Sequence, residues 1–290
     1  MNETIRARRT HRKRLDQWSN WAFLLAIGVA VATLLVLLFD VFSVGLKHLS
    51  WDFLTHYASR FWQKAGILAP LAGSFSVIVL TAVLALPIGM AAAIYLQFYA
   101  SENWVNRVIE TNIANLAGVP SIVYGLFGLA FFVRYLAFDR SVLAAALTMA
   151  LLILPVVIVN TQEAIRAVPS SMIHAAYALG ASRWQVIKTV VLPAALGGIL
   201  TGAILALSRA LGETAPLITV GAWVFITYLP QGLLDGFTVL PIQIWYWSSM
   251  PQQGFQEIAA TAIIVLLVLL LTINSVAIVL RNRYQKKAEW

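Results

Sequence analysis

The stretch IAATAIIVLLVLLLTINSVAIVL, residues 258–280, lies between Glu257 and Arg281 and carries no charge. A helix rises about 1.5 Å per residue and a bilayer's hydrocarbon core is about 30 Å thick, so about 20 apolar residues cross it. The run is long enough, and a water-facing helix could not be apolar on every side. Working back from it, the same test finds five more segments. One begins near Pro193 and continues past Leu211; others run from Ser141 to Gln162 and from Thr111 to Val133. A further one lies within Ala65 to Ser101, and the first runs from Gln17 to Phe39, between Asp16 and Asp40. The expectation is an all-α, polytopic membrane protein with six transmembrane helices. Only the fifth is broken by charge, at Arg209 and Glu213.

Composition agrees. Of the 290 residues, 60% are hydrophobic and 11% charged, where a soluble domain carries about 25% charged residues. Mean hydropathy is +0.82. Too little polar material exists to cover a water-facing surface, which excludes a soluble two-domain protein and a disordered chain. With no cysteine, a disulfide scaffold and thiolate metal ligands are excluded too.

An even number of spans puts both termini on one side. If that side is the cytoplasm, 14 of the 20 Lys and Arg residues face it, six of them between Arg6 and Arg14. Only Lys47, Arg60, Lys64, Arg134 and Arg140 face outward. The positive-inside rule therefore favours both termini in the cytoplasm. The formal net charge of +8 follows from this bias, and no folded basic domain for nucleic acid is present. The basic start leads into a run too long for a cleaved signal, so the first span reads as a retained anchor.

The loop before the fifth span is dense with helix signals. Pro169-Ser170-Ser171 marks a start and Gly180 a left-handed end. Ser182 with Gln185 forms a capping box that opens a second short helix, and Pro193 suits the first turn of the next span. An interfacial helix pair joining two spans is one reading. The small residues Ala175 and Ala176, which would let a helix seat closely in a partner's groove, favour a docking device.

The pattern Ala175-Ala176-x3-Gly180-x9-Val190-x-Leu192-Pro193 resembles the cytoplasmic loop of bacterial ATP-binding-cassette importer permeases, Glu-Ala-Ala-x3-Gly-x9-Ile-x-Leu-Pro. His174 stands for the glutamate and Val190 for the isoleucine. The resemblance implies a type I importer permease architecture. In it coupling helices at 163–192 dock on an ATP-hydrolysing subunit, with His174, Ala175, Ala176, Gly180, Leu192 and Pro193 as the coupling residues.

Arg209 and Glu213, at mid-membrane, share a helix face at i,i+4. A central arginine is costly on its own, by about 2.5–3.5 kcal/mol on insertion scales. A structural ion pair facing the bundle interior and a pathway residue for an oxyanion both account for it; guanidinium suits the second. The segment Ser208-Arg209-Ala-Leu-Gly212-Glu213-Thr214-Ala-Pro216-Leu217 resembles the Arg-Ala-x-Gly-Glu-Thr-Ala-Pro-Leu stretch of A-type permeases from phosphate-specific importers. On that likeness Arg209, Gly212, Glu213 and Thr214 are carried over as substrate-pathway residues. Glu163 with Arg166, at i,i+3, reads as a surface ion pair, with an inner-gate role as the alternative.

The loop from Gly221 to Glu257 has no Lys or Arg and many aromatics, which suits an interfacial helix or a surface for an external binding protein. Pro87 and Gly89, and Gly118 with Pro120, interrupt apolar helices, as pore-lining or packing devices. His11, His48, His56 and His174 show no metal-ligand spacing. No Gly-x4-Gly-Lys-Ser/Thr phosphate loop occurs.

Together these divide the chain into a basic cytoplasmic tail (1–17), a first span with an external loop (18–64), a permease domain (65–280) and a basic C-terminal tail (281–290). The resemblance implies the transmembrane subunit of an ATP-driven phosphate importer, itself no enzyme and without a cofactor. Its implied partners are a sister permease, two ATP-binding subunits that carry ATP and Mg, an external phosphate-binding protein and membrane lipid, with no nucleic acid. Alternatives are a permease for sulfate, molybdate or phosphonate, and a gradient-driven secondary transporter with Glu213 as proton carrier.

Overall fold

A computed structural model describes residues 2–285, with side chains described for 18–279 and 281–283. Met1 and residues 286–290, with Lys286 and Lys287 of the expected C-terminal tail, lie outside the described residues.

Among the described residues the chain is helical apart from short connections and one isolated pairing of Ser141 with Gly236. Helix α1, Asn2–Gly45, is continuous, so the basic segment expected as a separate tail is the beginning of the first helix. A short α2 (Trp51–Thr55) precedes α3 (Leu68–Ile94), which continues through a wider π turn to Tyr99. Then come α4 (Trp104–Leu116), α5 (Ser121–Gly128) with a π extension to Tyr135, and α6 (Val142–Arg166). Helices α7 (Ser170–Ala178), α8 (Arg183–Val186) and α9 (Leu192–Gly212) follow, then α10 (Ala215–Val220), α11 (Leu240–Ser248) and α12 (Gln253–Gln285).

Among the described residues five helical stretches are long and apolar enough to cross a membrane: Trp18–His48, Leu68–Tyr99, Val142–Arg166, Arg183–Gly212 and Gln253–Arg283. The expected third span, Thr111 to Val133, is not one straight helix. It is two pieces, α4 and Ser121–Tyr135, meeting at 103°, and the count reaches six only if the bent pair is one span. The cause is Pro120, which takes the preceding residue out of the helical region, after Gly118 and Val119 close tight turns onto Asn115 and Leu116.

The fifth span also starts earlier than Pro193. Helix α8 runs through a π turn, Ile187–Val191, straight into α9. A proline normally strikes the carbonyl four residues back. Here that carbonyl belongs to Thr189, inside the widened turn.

The core lies where α6 packs along α3 and α9. Val77, Met149, Ile153, Ala206 and Phe237 are buried there. Alanines at 144, 145 and 146, all fully buried, let helices approach closely. By contrast α1 leaves its apolar side chains exposed from Phe23 to Phe39, as lipid-facing positions require. It is tied to the bundle at one end, where Thr261 Oγ1 donates to the Gly45 carbonyl (2.9 Å) and His48 meets Glu257 (2.9 Å).

The aromatic loop from Gly221 to Glu257 is mainly irregular, with α11 as its helix. Phe237 and Trp247 are fully buried rather than interfacial, while Trp223, Phe225, Tyr228 and Trp245 are exposed.

Candidate functional site

Helix α9 ends at Gly212 because the chain cannot stay helical into Pro216, which lacks an N–H and would meet the Gly212 carbonyl. Glu213 is consequently extended (φ −75°, ψ 129°) and Thr214 leads into α10. Arg209 and Glu213 therefore do not share a continuous helix. Arg209 occupies the last turn of α9 and Glu213 the residue beyond it. They pair nonetheless, with Arg209 Nε 3.3 Å from Glu213 Oε1. The carbonyls at the end of α9 give that terminus a partial negative charge, which adds to the carboxylate in favouring the guanidinium.

The two partners differ in exposure: 46% of the Arg209 side chain and 19% of Glu213 are accessible. Glu213 is held back against the fold while Arg209 is presented outward. Gly212 borders open space, and Thr214 caps no helix with its side chain.

A second broken helix reaches the same place. Helix α5 packs on α10, and Gly125 makes this possible: a β-carbon there would collide with Thr219 Oγ1 and Pro216. Next to it, Tyr124 donates its hydroxyl to the Leu116 carbonyl (2.8 Å), spanning the bend between α4 and α5. Helix α5, which follows one helix break, thus packs on α10, which follows the other and begins two residues after Glu213. Sequence reading missed Tyr124; the Gly118-x-Pro120 interruption just before it was its one signal. It also missed Ser208, whose hydroxyl is 2.7 Å from Asn274 Oδ1 and ties α9 to α12.

At the opposite end of α9 the loop has the capping expected of it. Gly180 is left-handed (φ 82°), and its N–H donates to Tyr177 O while Ala181 N–H reaches Ala176 O, a Schellman end to α7. The Ser182–Gln185 capping box is formed in both directions. Helix α7 does begin at Ser170, but with Pro169 at its cap and no side-chain capping bond.

His174, Ala175 and Gly180 are exposed, Ala176 and Leu192 half-buried, and Pro193 is exposed in the first turn of α9. Around them Met172, Tyr177, Trp184 and Leu179, the last 89% accessible, form an apolar surface. The inner side of the loop is anchored by Val186 and Val191, both fully buried, on Ile165 and Ala195. Arg183 also lies over the Tyr99 ring (5.4 Å), linking α8 to the end of α3.

Glu163 and Arg166 form an ion pair at 3.0 Å, with both side chains substantially exposed. Arg166 additionally donates to Gln97 Oε1 (3.3 Å), next to a polar cavity of 410 Å³ lined by Arg107 and Glu110 among others. Among the described residues no three His, Asp or Glu side chains come together as metal ligands.

Residues 85–288 match the family of binding-protein-dependent transport system inner membrane components. The chain belongs to that family. The permease is 36% identical over 208 residues to the probable ABC transporter permease protein YqgI of Bacillus subtilis, which covers 72% of this chain and 71% of that protein. To the phosphate transport system permease protein PstA of Xylella fastidiosa it is 32% identical over 243 residues, 83% of this chain and 84% of that one. Its fold is similar to that of a chain in the crystal structure of a bacterial alginate ABC transporter in complex with an alginate pentasaccharide-bound periplasmic protein. The TM-score is 0.65 at 16% identity, covering 93% of this chain and 96% of the other. The permease thus has the type I ABC importer fold and is a multi-pass inner-membrane transport subunit.

Proposed function

We propose that this permease carries inorganic phosphate inward as half of a heterodimeric pathway, driven by two separate ATP-binding subunits that hold ATP and Mg. The observation that carries the reading is Arg209: an accessible guanidinium at the junction of two broken helices, held by a less accessible carboxylate, in a chain similar to phosphate permeases. Discontinuous membrane helices are where transporters build their substrate sites, and guanidinium recognises a tetrahedral oxyanion. Glu213 keeps Arg209 oriented between substrates and limits how tightly an anion is retained.

The apolar surface of α7 and α8 is the docking face for an ATP-binding subunit. Val186 and Val191 couple that face to α6 and α9, so a push on α7 moves the ends of the spans. The external partner is a phosphate-binding protein, received by the exposed aromatics Trp223, Phe225 and Tyr228. In this arrangement both termini are cytoplasmic, and Glu163–Arg166 is a surface pair beside the inner mouth.

The test is radiolabelled phosphate and sulfate uptake, in cells lacking their own phosphate importer, by wild type and by Arg209→Gln and Arg209→Lys. Loss of a charge-assisted contact made during passage lowers phosphate uptake at least about tenfold in Arg209→Gln; Arg209→Lys recovers little, because its ammonium lacks the planar fork. Unchanged phosphate uptake in Arg209→Gln overturns the pathway role. Loss of sulfate uptake by the same variant, with phosphate spared, reassigns the substrate. Phosphate transport by the isolated chain without ATP replaces the importer with a gradient-driven carrier.

A further inference from the structure

A second polar site lies at the other end of the bundle from the coupling helices. The segment between α1 and α3, with the beginning of α12, encloses a cavity of 560 Å³. Four of its lining side chains can carry positive charge: Lys47, His48, His56 and Lys64. Its one acidic lining residue is Asp52, and Phe53 and Trp62 supply apolar wall. The family match begins at residue 85, so the loop segment that forms most of this cavity precedes the matched transport core.

These side chains are held in place by separate devices. His48 is fixed by Glu257 (2.9 Å) and by the edge of Trp62, whose ring centre is 5.8 Å away. His56 Nδ1 lies 2.6 Å from the Asp52 carbonyl oxygen. That oxygen can only accept, so Nδ1 carries the hydrogen and the other ring nitrogen is left for a ligand or water. Lys47 lies within one short helical turn, Leu46–His48, and Lys64 ends another, Trp62–Lys64; neither makes an ion pair among the described residues.

The depth of the cavity indicates what it meets. The apolar helical stretch Trp18–His48 ends at its edge, which puts the cavity at the water interface of the membrane. The neighbouring Trp51 and Phe61 are 77% and 66% exposed, with Leu46 and Leu49 also uncovered. Aromatic and apolar side chains at such a boundary sit among lipid headgroups, and lysines there reach out to the phosphate level.

We propose that this cavity binds the phosphodiester of an anionic lipid headgroup, with Lys47 and Lys64 as its charge contacts and Trp51 and Phe61 against the acyl chains. A free phosphate ion shares the charge chemistry but gains nothing from the apolar rim. Occupancy would fasten α1 and the loop after it to the start of α12, independently of what the permease transports.

Native mass spectrometry of the purified permease, with whichever subunits accompany it, tests this with three probes: phosphatidylglycerol, phosphatidylcholine and inorganic phosphate. The expected result is preferential retention of phosphatidylglycerol, reduced about tenfold in Lys47→Gln/Lys64→Gln and restored in Lys47→Arg/Lys64→Arg. Excess inorganic phosphate is expected to leave it bound. Equal retention of the two lipids, or no change in the glutamine variant, overturns the proposal. Displacement of the lipid by inorganic phosphate assigns the pocket to the free ion and overturns the lipid assignment. The arginine variant, compared by size-exclusion profile, separates loss of charge from loss of fold.

Discussion

Two glycines separate backbone need from site chemistry. Gly180 holds φ of 82°, where a β-carbon costs about 1–2 kcal/mol. Gly212 has open space around it and no positive φ. Gly180→Ala is expected to lower the permease's stability by about 1 kcal/mol in a thermal melt, whereas Gly212→Ala leaves melting unchanged. If Gly212→Ala still impairs phosphate uptake, the loss belongs to the pathway beside Arg209 and not to folding; an equal drop in melting for both variants would contradict the difference in their backbones. Gly125 makes a third case. Gly125→Val places methyl groups where Thr219 and Pro216 already lie. Overpacking of this kind costs about 1–3 kcal/mol, so lower melting and lower uptake are expected together, since the same contact positions α10 beside Arg209.

Elements, rather than residues, set how the coupling loop behaves. Helix α8 is the first turn of the helical stretch that continues to Gly212; its start is stabilised by the Ser182–Gln185 box. Ser182→Ala removes the side-chain bond to the Gln185 amide, a loss of about 1 kcal/mol. Amide exchange over residues 183–186 is expected to quicken, with α6 unaffected; unchanged exchange would show that Val186 and Val191 hold the turn without its cap. The outer face calls for a different change. Leu179→Ser with Trp184→Ser alters side chains that are exposed in the permease, so melting should stay constant while co-purification of an ATP-binding subunit falls.

For the whole molecule, orientation is the property that charge asymmetry predicts and that labelling can measure. The chain has no native cysteine, so single cysteines report without background. Leu179→Cys, in the coupling loop, is expected to resist a membrane-impermeant maleimide in intact cells and to react in inverted vesicles. Arg60→Cys, exposed at the other end of the bundle, should show the reverse. Labelling of both from the same side would refute the proposed topology.

How much could be read in advance differed sharply between parts of this chain. Apolar length, helix caps and prolines are local properties of the backbone and the solvent. From them the sequence determined the helical class, most of the spans, the Gly180 turn, the Ser182 capping box and the interruption near Gly118 and Pro120. It also placed a charged pair within an apolar segment and exposed a motif of the permease family. Other features depended on how the helices meet. In a membrane the lipid-facing side of a helix is as apolar as its packed side, so the periodicity that marks a buried face in water is lost. Hence burial of Phe237 and Trp247, the exposure along α1 and the seating of α5 on α10 were set by tertiary contacts. The same holds at the site. Arg209 and Glu213 could be paired from spacing alone, but the end of α9 between them, the bend of 103° and the bond from Tyr124 to the Leu116 carbonyl across it required the packed bundle. Only close approach of helices distant in sequence packs the helix after the bend on the short helix that follows Glu213.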